Sequence, residues 1–153
     1  CMAAPMHDIG KVAVPDVILQ KPGRLTPEEF EEIKKHTVSG GNIIKETFGH
    51  LGNEHYTQMA YEVARFHHEK WNGAGYPDHK KGEEIPLEAR IMAIADVYDA
   101  LRSERSYKAA YSKEEAKQII VEESGKQFDP ELVEVFLECL DEMEEVRQKG
   151  SQN

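Results

Sequence analysis

Cysteine is scarce in this sequence. Cys1 and Cys139 are too few and too far apart for a disulfide framework. No apolar run approaches the length that crosses a bilayer, and no secretory leader is legible. Both absences argue against membrane insertion and point to the cytoplasm. Basic residues are also in short supply: 19 Lys and Arg against 29 Asp and Glu give a formal net charge of −10 with His neutral. That balance argues against a phosphate-backbone grip on duplex nucleic acid. It does not exclude a small anionic substrate, because a bound metal ion is the largest charge in its own site. Internal repeats, low-complexity segments and interdomain linkers are missing, and 153 residues suit one domain (1–153) with one core. The chain opens on Cys1, six residues ahead of its first motif, and reads as part of a longer protein.

What is present is imidazole and carboxylate at separated positions. His7-Asp8-Ile9-Gly10-Lys11 near the start and His67-His68-Glu69 in the middle are joined by His36 and Asp96 from two further stretches. Neutral imidazole and carboxylate together suit first-row divalent ions such as Mn, Fe, Co, Ni or Zn. One metal rarely needs so many donors, so the inventory points to two or more ions sharing a carboxylate or a water for hydrolysis. Each donor also has a plainer reading. His36 can be a half-buried histidine bonded to backbone, and His67 can lie in the core with His68 in solvent. Adjacent residues on a helix splay by about 100°, which favours one metal each over a shared one. Asp96 lies in the apolar passage Ile91-Met92-Ala93-Ile94-Ala95-Asp96-Val97-Tyr98; a buried carboxylate there is costly unless paired or metal-bound. Asp99 is a candidate to cap a turn or to orient a ligand.

The spacing predicts an all-helical chain. Residues 1–9 read as the tail of a helix, and Val12 to Leu19 as a buried connector or short helix after Pro15. Thr26-Pro27-Glu28-Glu29 is a helix start with a capping box, opening a helix to about Phe48 whose inner stripe is Phe30, Ile33, Thr37, Gly40, Ile44 and Phe48. Gly40-Gly41 implies a close approach. A second helix is predicted over about 56–70. Trp71 to Glu84 is a defined loop at the mouth of the candidate site, with Tyr76 and Trp71 either capping the core or acting in recognition. Pro86 opens a helix to about Ser103 with Leu87, Ile91, Ile94, Ala95, Tyr98 and Leu101 facing inward. Arg102, Arg105 and Lys108 form a small basic cluster, read either as favourable placement near a helix end or as phosphate contacts. Ser112 to Glu115 is a second capping box, and Asp129-Pro130 caps a last helix, with a frayed tail over 144–153. Unequal helix lengths favour an irregular globule over a regular bundle.

Taken together, His7-Asp8-Ile9-Gly10-Lys11, His36, His67-His68-Glu69, Gly75-Tyr76-Pro77 and the run Arg90 to Leu101 resemble the HD-GYP family of metal-dependent HD phosphohydrolases. Arg105-Ser106-Tyr107-Lys108 and Ser124 to Pro130 fit the same pattern. The resemblance spans nearly the whole chain in one order. It implies an all-α HD-domain-like fold and a phosphodiesterase that opens cyclic di-GMP to the linear dinucleotide and, in some members, GMP. It carries over His7, Asp8, His36, His67, His68 and Asp96 as ligands of two or more divalent ions such as Fe or Mn, with Asp8 bridging. Lys11 resembles the lysine that stabilises charge on the scissile phosphate, and Arg105 and Lys108 resemble the residues that hold the ligand's phosphates. Gly75, Tyr76 and Pro77 would shape a loop or meet a partner; diguanylate cyclase domains are partners expected of the non-hydrolytic alternative. Family members place further ligands on helices ahead of the His-Asp motif. Their absence here makes a three-metal site unexpected and a homodimer conceivable. The alternative reading is a non-hydrolytic signalling or nucleotide-binding module.

Overall fold

The structure is a computed structural model, and it describes residues 4–50, 52–104 and 109–150. Among these the chain is helix and loop, with one isolated backbone bridge between Ser124 and Phe128, as the all-α expectation requires. After short 3-10 turns at Ala4–Met6 and Ile9–Ala13 come α1 (Asp16–Leu19), α2 (Pro27–Phe48), α3 (Glu54–Phe66), α4 (Leu87–Arg102), α5 (Lys113–Glu122) and α6 (Pro130–Gly150). None of the described helices is long and apolar enough to cross a membrane.

The helix starts follow their capping chemistry. Thr26 accepts the Glu29 N–H at 3.2 Å while the Glu29 carboxylate accepts the Thr26 N–H at 2.7 Å, with Pro27 in the first turn. Ser112 and Glu115 repeat that exchange at α5, and Asn53 caps α3 through the Tyr56 N–H. Such caps contribute about 1 kcal/mol each.

Two apolar clusters meet along α4. One joins Ala93, Ile94 and Tyr98 of α4 to Ala116 and Ile120 of α5 and to Phe128, Val133, Phe136 and Leu140. The other joins Ile44 of α2 to Ala60, Val63 and Ala64 of α3, with Met92 of α4 against it. The inner face of α4 is therefore Ala89, Ala93, Ile94 and Tyr98, whereas Leu87 and Ile91 of the expected stripe are half exposed. Alanines at 89 and 93 allow close approach of neighbouring elements, and that turns the larger residues outward. In α2 likewise Thr37, Gly40 and Ile44 are buried, but Phe30 is exposed.

One further expectation is corrected. The helix tail over 1–9 is, where described, a pair of 3-10 turns around His7-Asp8. Gly10 explains the break: a Cβ there would lie 1.8 Å from the His36 carbonyl oxygen and 2.5 Å from the Gly40 nitrogen. Backbone lies directly on α2, which a continuous α-helix would prevent. Of the two readings for Val12 to Leu19, the structure has the short helix after Pro15, α1; Val14 is buried while Val12 and Val17 are exposed. The last helix spans Pro130–Gly150, and on it Glu144 is buried and accepts from the Tyr98 hydroxyl at 2.5 Å and from Arg102 at 2.9 and 2.8 Å. Arg102 also donates to the Tyr111 carbonyl, so it is committed to packing rather than to phosphate.

Candidate metal centre

Four separate elements bring the expected residues together. Gly10 seats the His7-Asp8 turn on α2 beneath His36, which is 1% exposed. Helix α3 ends at Phe66, so His67 and His68 leave it in a turn instead of lying on its surface. Their ring centroids are 4.1 Å apart. The rings lie closer than the splay of a helix surface implies, because adjacent residues beyond a helix end are free to converge. Asp96 reaches the group from the middle of α4, and its side chain is 35% exposed, less buried than its apolar neighbours suggested.

Asp8 occupies the middle. Its Oδ2 lies 3.3 Å from His7 Nε2 and 2.5 Å from Lys11 Nζ. Its Oδ1 lies 3.6 Å from His36 Nε2 and 4.0 Å from His67 Nε2. His7 Nε2 is also 3.5 Å from Asp96 Oδ1. Donor atoms of His36, His67 and His68 all fall within 4.8 Å of one another.

Backbone fixes three of the rings. The Nδ1 atoms of His7 and His36 are 2.7 Å from the carbonyl oxygens of Ala4 and Ile33. That of His67 is 2.9 Å from Val63 and 3.1 Å from Ala64. A carbonyl can only accept, so each Nδ1 carries the proton and each Nε2 is aimed inward. At His36 and His67 this leaves two lone pairs facing each other at 3.5 Å beside a carboxylate oxygen. Acceptors converging in this way repel unless a cation lies among them. The donor set fits first-row divalent ions, and the Nδ1-to-carbonyl bonds are the outer contacts that orient metal-binding imidazoles.

Electrostatics agree. Burial, helped by the neighbouring His7 and His36, lowers His67 to about 4. Burial and the neighbouring His67 lower His68 to about 3. His36 is pushed down by burial as well. All three imidazoles are neutral at pH 7. His7 goes the other way, up to about 10, because it is hydrogen-bonded to Asp8 and Asp96; its proton lies where positive charge is wanted. Burial works to raise Asp8, but the hydrogen bonds from His7 and Lys11 hold it well below the usual carboxylate range.

The loop after His68 packs on the same group. Glu69 is 3% exposed and turned away from the imidazoles, accepting the N–H groups of Asp78 at 2.7 Å and Lys80 at 3.1 Å. Tyr76 stacks on His68, with ring centroids 4.9 Å apart and planes at 23°, and Phe30 of α2 meets it edge-on. Burial raises the Tyr76 phenol to about 12, so it stays neutral. Trp71 and Asn72 donate through their backbone to Gln127 and Lys126, which ties the loop to the segment ahead of α6.

Not every expected residue joins the site. Asp99 is exposed and faces Arg147 at 4.0 Å, so it orients no ligand. His50 and His55 are exposed, as expected of surface histidines. Arg105 and Lys108 lie outside the described residues. Sequence reasoning missed the contacts of Glu69 and Phe30, and only a buried acid next to a histidine pair offered a signal for the first.

The chain is similar to known proteins over most of its length. The HD domain family model matches residues 1–132. A cyclic di-GMP phosphodiesterase of Vibrio cholerae is 53% identical over 135 residues, 88% of this chain and 27% of that protein. The 3'3'-cGAMP-specific phosphodiesterase 2 of the same organism is 44% identical over 145 residues, 95% and 27% respectively. A solved cyclic GMP-AMP specific phosphodiesterase from V. cholerae superposes with a TM-score of 0.62 over 89% of this chain and 36% of that one. At 24% identity that likeness is one of fold. The chain spans 27% of the length of each of the two relatives.

Proposed function

The chain belongs to the HD domain family, and on that footing we propose that it is the catalytic part of a metal-dependent phosphodiesterase hydrolysing cyclic di-GMP to the linear dinucleotide and onward to GMP. The observation that carries this reading is the meeting of His36 Nε2, His67 Nε2 and Asp8 Oδ1, three acceptors aimed at one another. His7, Asp8, His36, His67, His68 and Asp96 would hold two or more divalent ions, Fe or Mn. Asp8 is suited to bridge them, since one of its oxygens faces His7 and the other faces His36 and His67. When bound, such ions supply Lewis-acid polarisation of the phosphodiester and activation of the attacking water.

The remaining work falls to the protein's own groups. The Lys11 side chain is 44% exposed, so its ammonium can reach a phosphoryl oxygen and stabilise the charge that grows there as the ribose oxygen departs in line. Asp8 holds that ammonium at the edge of the cluster. Arg105 and Lys108 are assigned to the substrate's phosphates, and Gly75, Tyr76 and Pro77 to the loop that packs on the ligands. Cytoplasm is the proposed compartment. Diguanylate cyclase domains are proposed as partners, as is a second copy of the chain. Half-exposed Leu87, Ile91 and Val135 support an apolar contact.

The test is product chromatography after incubating the chain and Mn2+ with cyclic di-GMP, with 3'3'-cGAMP in parallel. Linear dinucleotide from cyclic di-GMP, lost in Asp8→Ala, supports the proposal. Bound nucleotide without turnover, at full metal loading, identifies the non-hydrolytic module instead.

A further inference from the structure

Three of the four clustered imidazoles are locked by Nδ1 hydrogen bonds to helix carbonyls; His68 has no ring hydrogen bond among the described residues. Its attitude is set by rings. Tyr76 stacks on it at 4.9 Å and 23°, and His67 lies 4.1 Å away on a tilted plane. Tyr76 is itself held from several directions. Its N–H donates to the His68 carbonyl at 3.2 Å, and Phe30 of α2 meets its ring edge-on at 6.2 Å. The loop carrying it is pinned by Glu69, whose carboxylate accepts the backbone N–H groups of Asp78 and Lys80. Gly75 admits this packing, since a Cβ there would lie 2.5 Å from the His68 carbonyl oxygen and 2.3 Å from the Lys70 nitrogen.

We propose that Tyr76 is the positioning residue for His68, doing by ring stacking what the Ile33 and Val63 carbonyls do for His36 and His67, and that Glu69 acts with it by fixing the loop. The inference rests on the metal-centre reading. It gives the Gly75-Tyr76-Pro77 loop a task inside the site: orienting one ligand whose ring would otherwise turn about its own side-chain bonds. A misdirected imidazole weakens metal binding without being removed, and outer contacts of this kind typically carry about 10- to 100-fold in metal affinity.

The experiment is titration of the chelator-stripped chain with Co2+, read in ligand-field absorption, for wild type, Tyr76→Phe, Tyr76→Leu, His68→Ala and the double variant Tyr76→Leu/His68→Ala. Tyr76→Phe keeps the ring and should bind within about twofold of wild type, while Tyr76→Leu should lose about tenfold or more. In the His68→Ala background the leucine change should cost nothing further, because the ring it orients is gone. Equal losses in both backgrounds, or wild-type affinity in Tyr76→Leu, overturn the assignment. Should Tyr76→Leu fail to fold, Glu69→Gln is compared in the same two backgrounds with the same two outcomes. Failure of the wild-type chain to bind Co2+ is a separate result, seen before any variant is made, and overturns the metal-centre reading together with this inference.

Discussion

His36 and His67 point Nε2 at Nε2 across 3.5 Å, each with its Nδ1 proton given to a helix carbonyl. Two neutral imidazoles in that attitude repel, and a divalent ion between them turns the repulsion into ligation. Mn2+ at about 100 times its dissociation constant should then stabilise the fold by about 2.7 kcal/mol, a rise of roughly 5–10 °C in melting temperature for a chain of this size. His67→Ala should melt lower than wild type without metal, because a buried ring is lost, and should also lose most of that metal-induced rise. Calorimetry with and without Mn2+ checks it, and an equal rise in both proteins removes His67 from the site.

The seat of the His7-Asp8 turn gives a second expectation. Gly10→Ala places a Cβ against backbone atoms of His36 and Gly40, which cannot rotate out of the way. Overpacking costs about 1–3 kcal/mol where side chains can adjust, so the loss here should be about 3 kcal/mol or more. Any chain that does fold should bind metal poorly, since His7 and Asp8 must lift away from α2. Denaturant melts measure the first effect, and near-wild-type stability would mean the turn is not packed as described.

Far from the site, Glu144 sets an acid limit. Its hydrogen bonds from Arg102, then from Tyr98, lower it to about 2 against an ordinary 4.5. A depressed carboxylate contributes stability above its unfolded value and loses it as pH falls through the folded one. The contribution should be full above about pH 5 and disappear between about pH 4.5 and 2, amounting to roughly 3 kcal/mol at pH 7. Glu144→Gln should therefore be less stable than wild type at pH 7, with the gap closing toward pH 2. Paired urea melts across that range follow it, and a gap independent of pH contradicts the assignment.

Much of this was legible in the sequence where one local rule governs. Thr26 and Ser112 marked their helix starts because capping needs only neighbours in the chain. His7, Asp8, His36, His67 and Asp96 could be nominated as one group because their spacing resembles a known motif set. What the sequence could not give depends on contacts between distant segments. The end of α3 at Phe66, which allows His67 and His68 to converge, has no strong breaker to announce it. The outward turn of Leu87 and Ile91 follows from close packing at Ala89 and Ala93, and a hydrophobic stripe alone does not reveal which side has partners. The partner of Glu144 is Arg102 from another helix, and the charged run around Glu144 does not announce it.

Arg105 and Lys108 follow α4 and are assigned to phosphate alone. Replacing both with alanine should weaken cyclic di-GMP binding, measured by titration calorimetry, by at least about tenfold if each contributes roughly 1 kcal/mol or more, as hydrogen bonds to charged groups do. Metal content should stay unchanged. Unaltered affinity in the double variant takes both residues out of the nucleotide site.

The central claim is that residues from four segments hold divalent ions. Elemental analysis of the chain prepared without chelator tests it most directly, with wild type and Asp8→Ala measured side by side. Removing the shared carboxylate should empty the site more than removing any one imidazole. The expected result is two or more transition-metal ions per wild-type chain, falling below one in Asp8→Ala. A wild-type chain that carries and takes up none, even after dialysis against Mn2+ or Fe2+, contradicts the account.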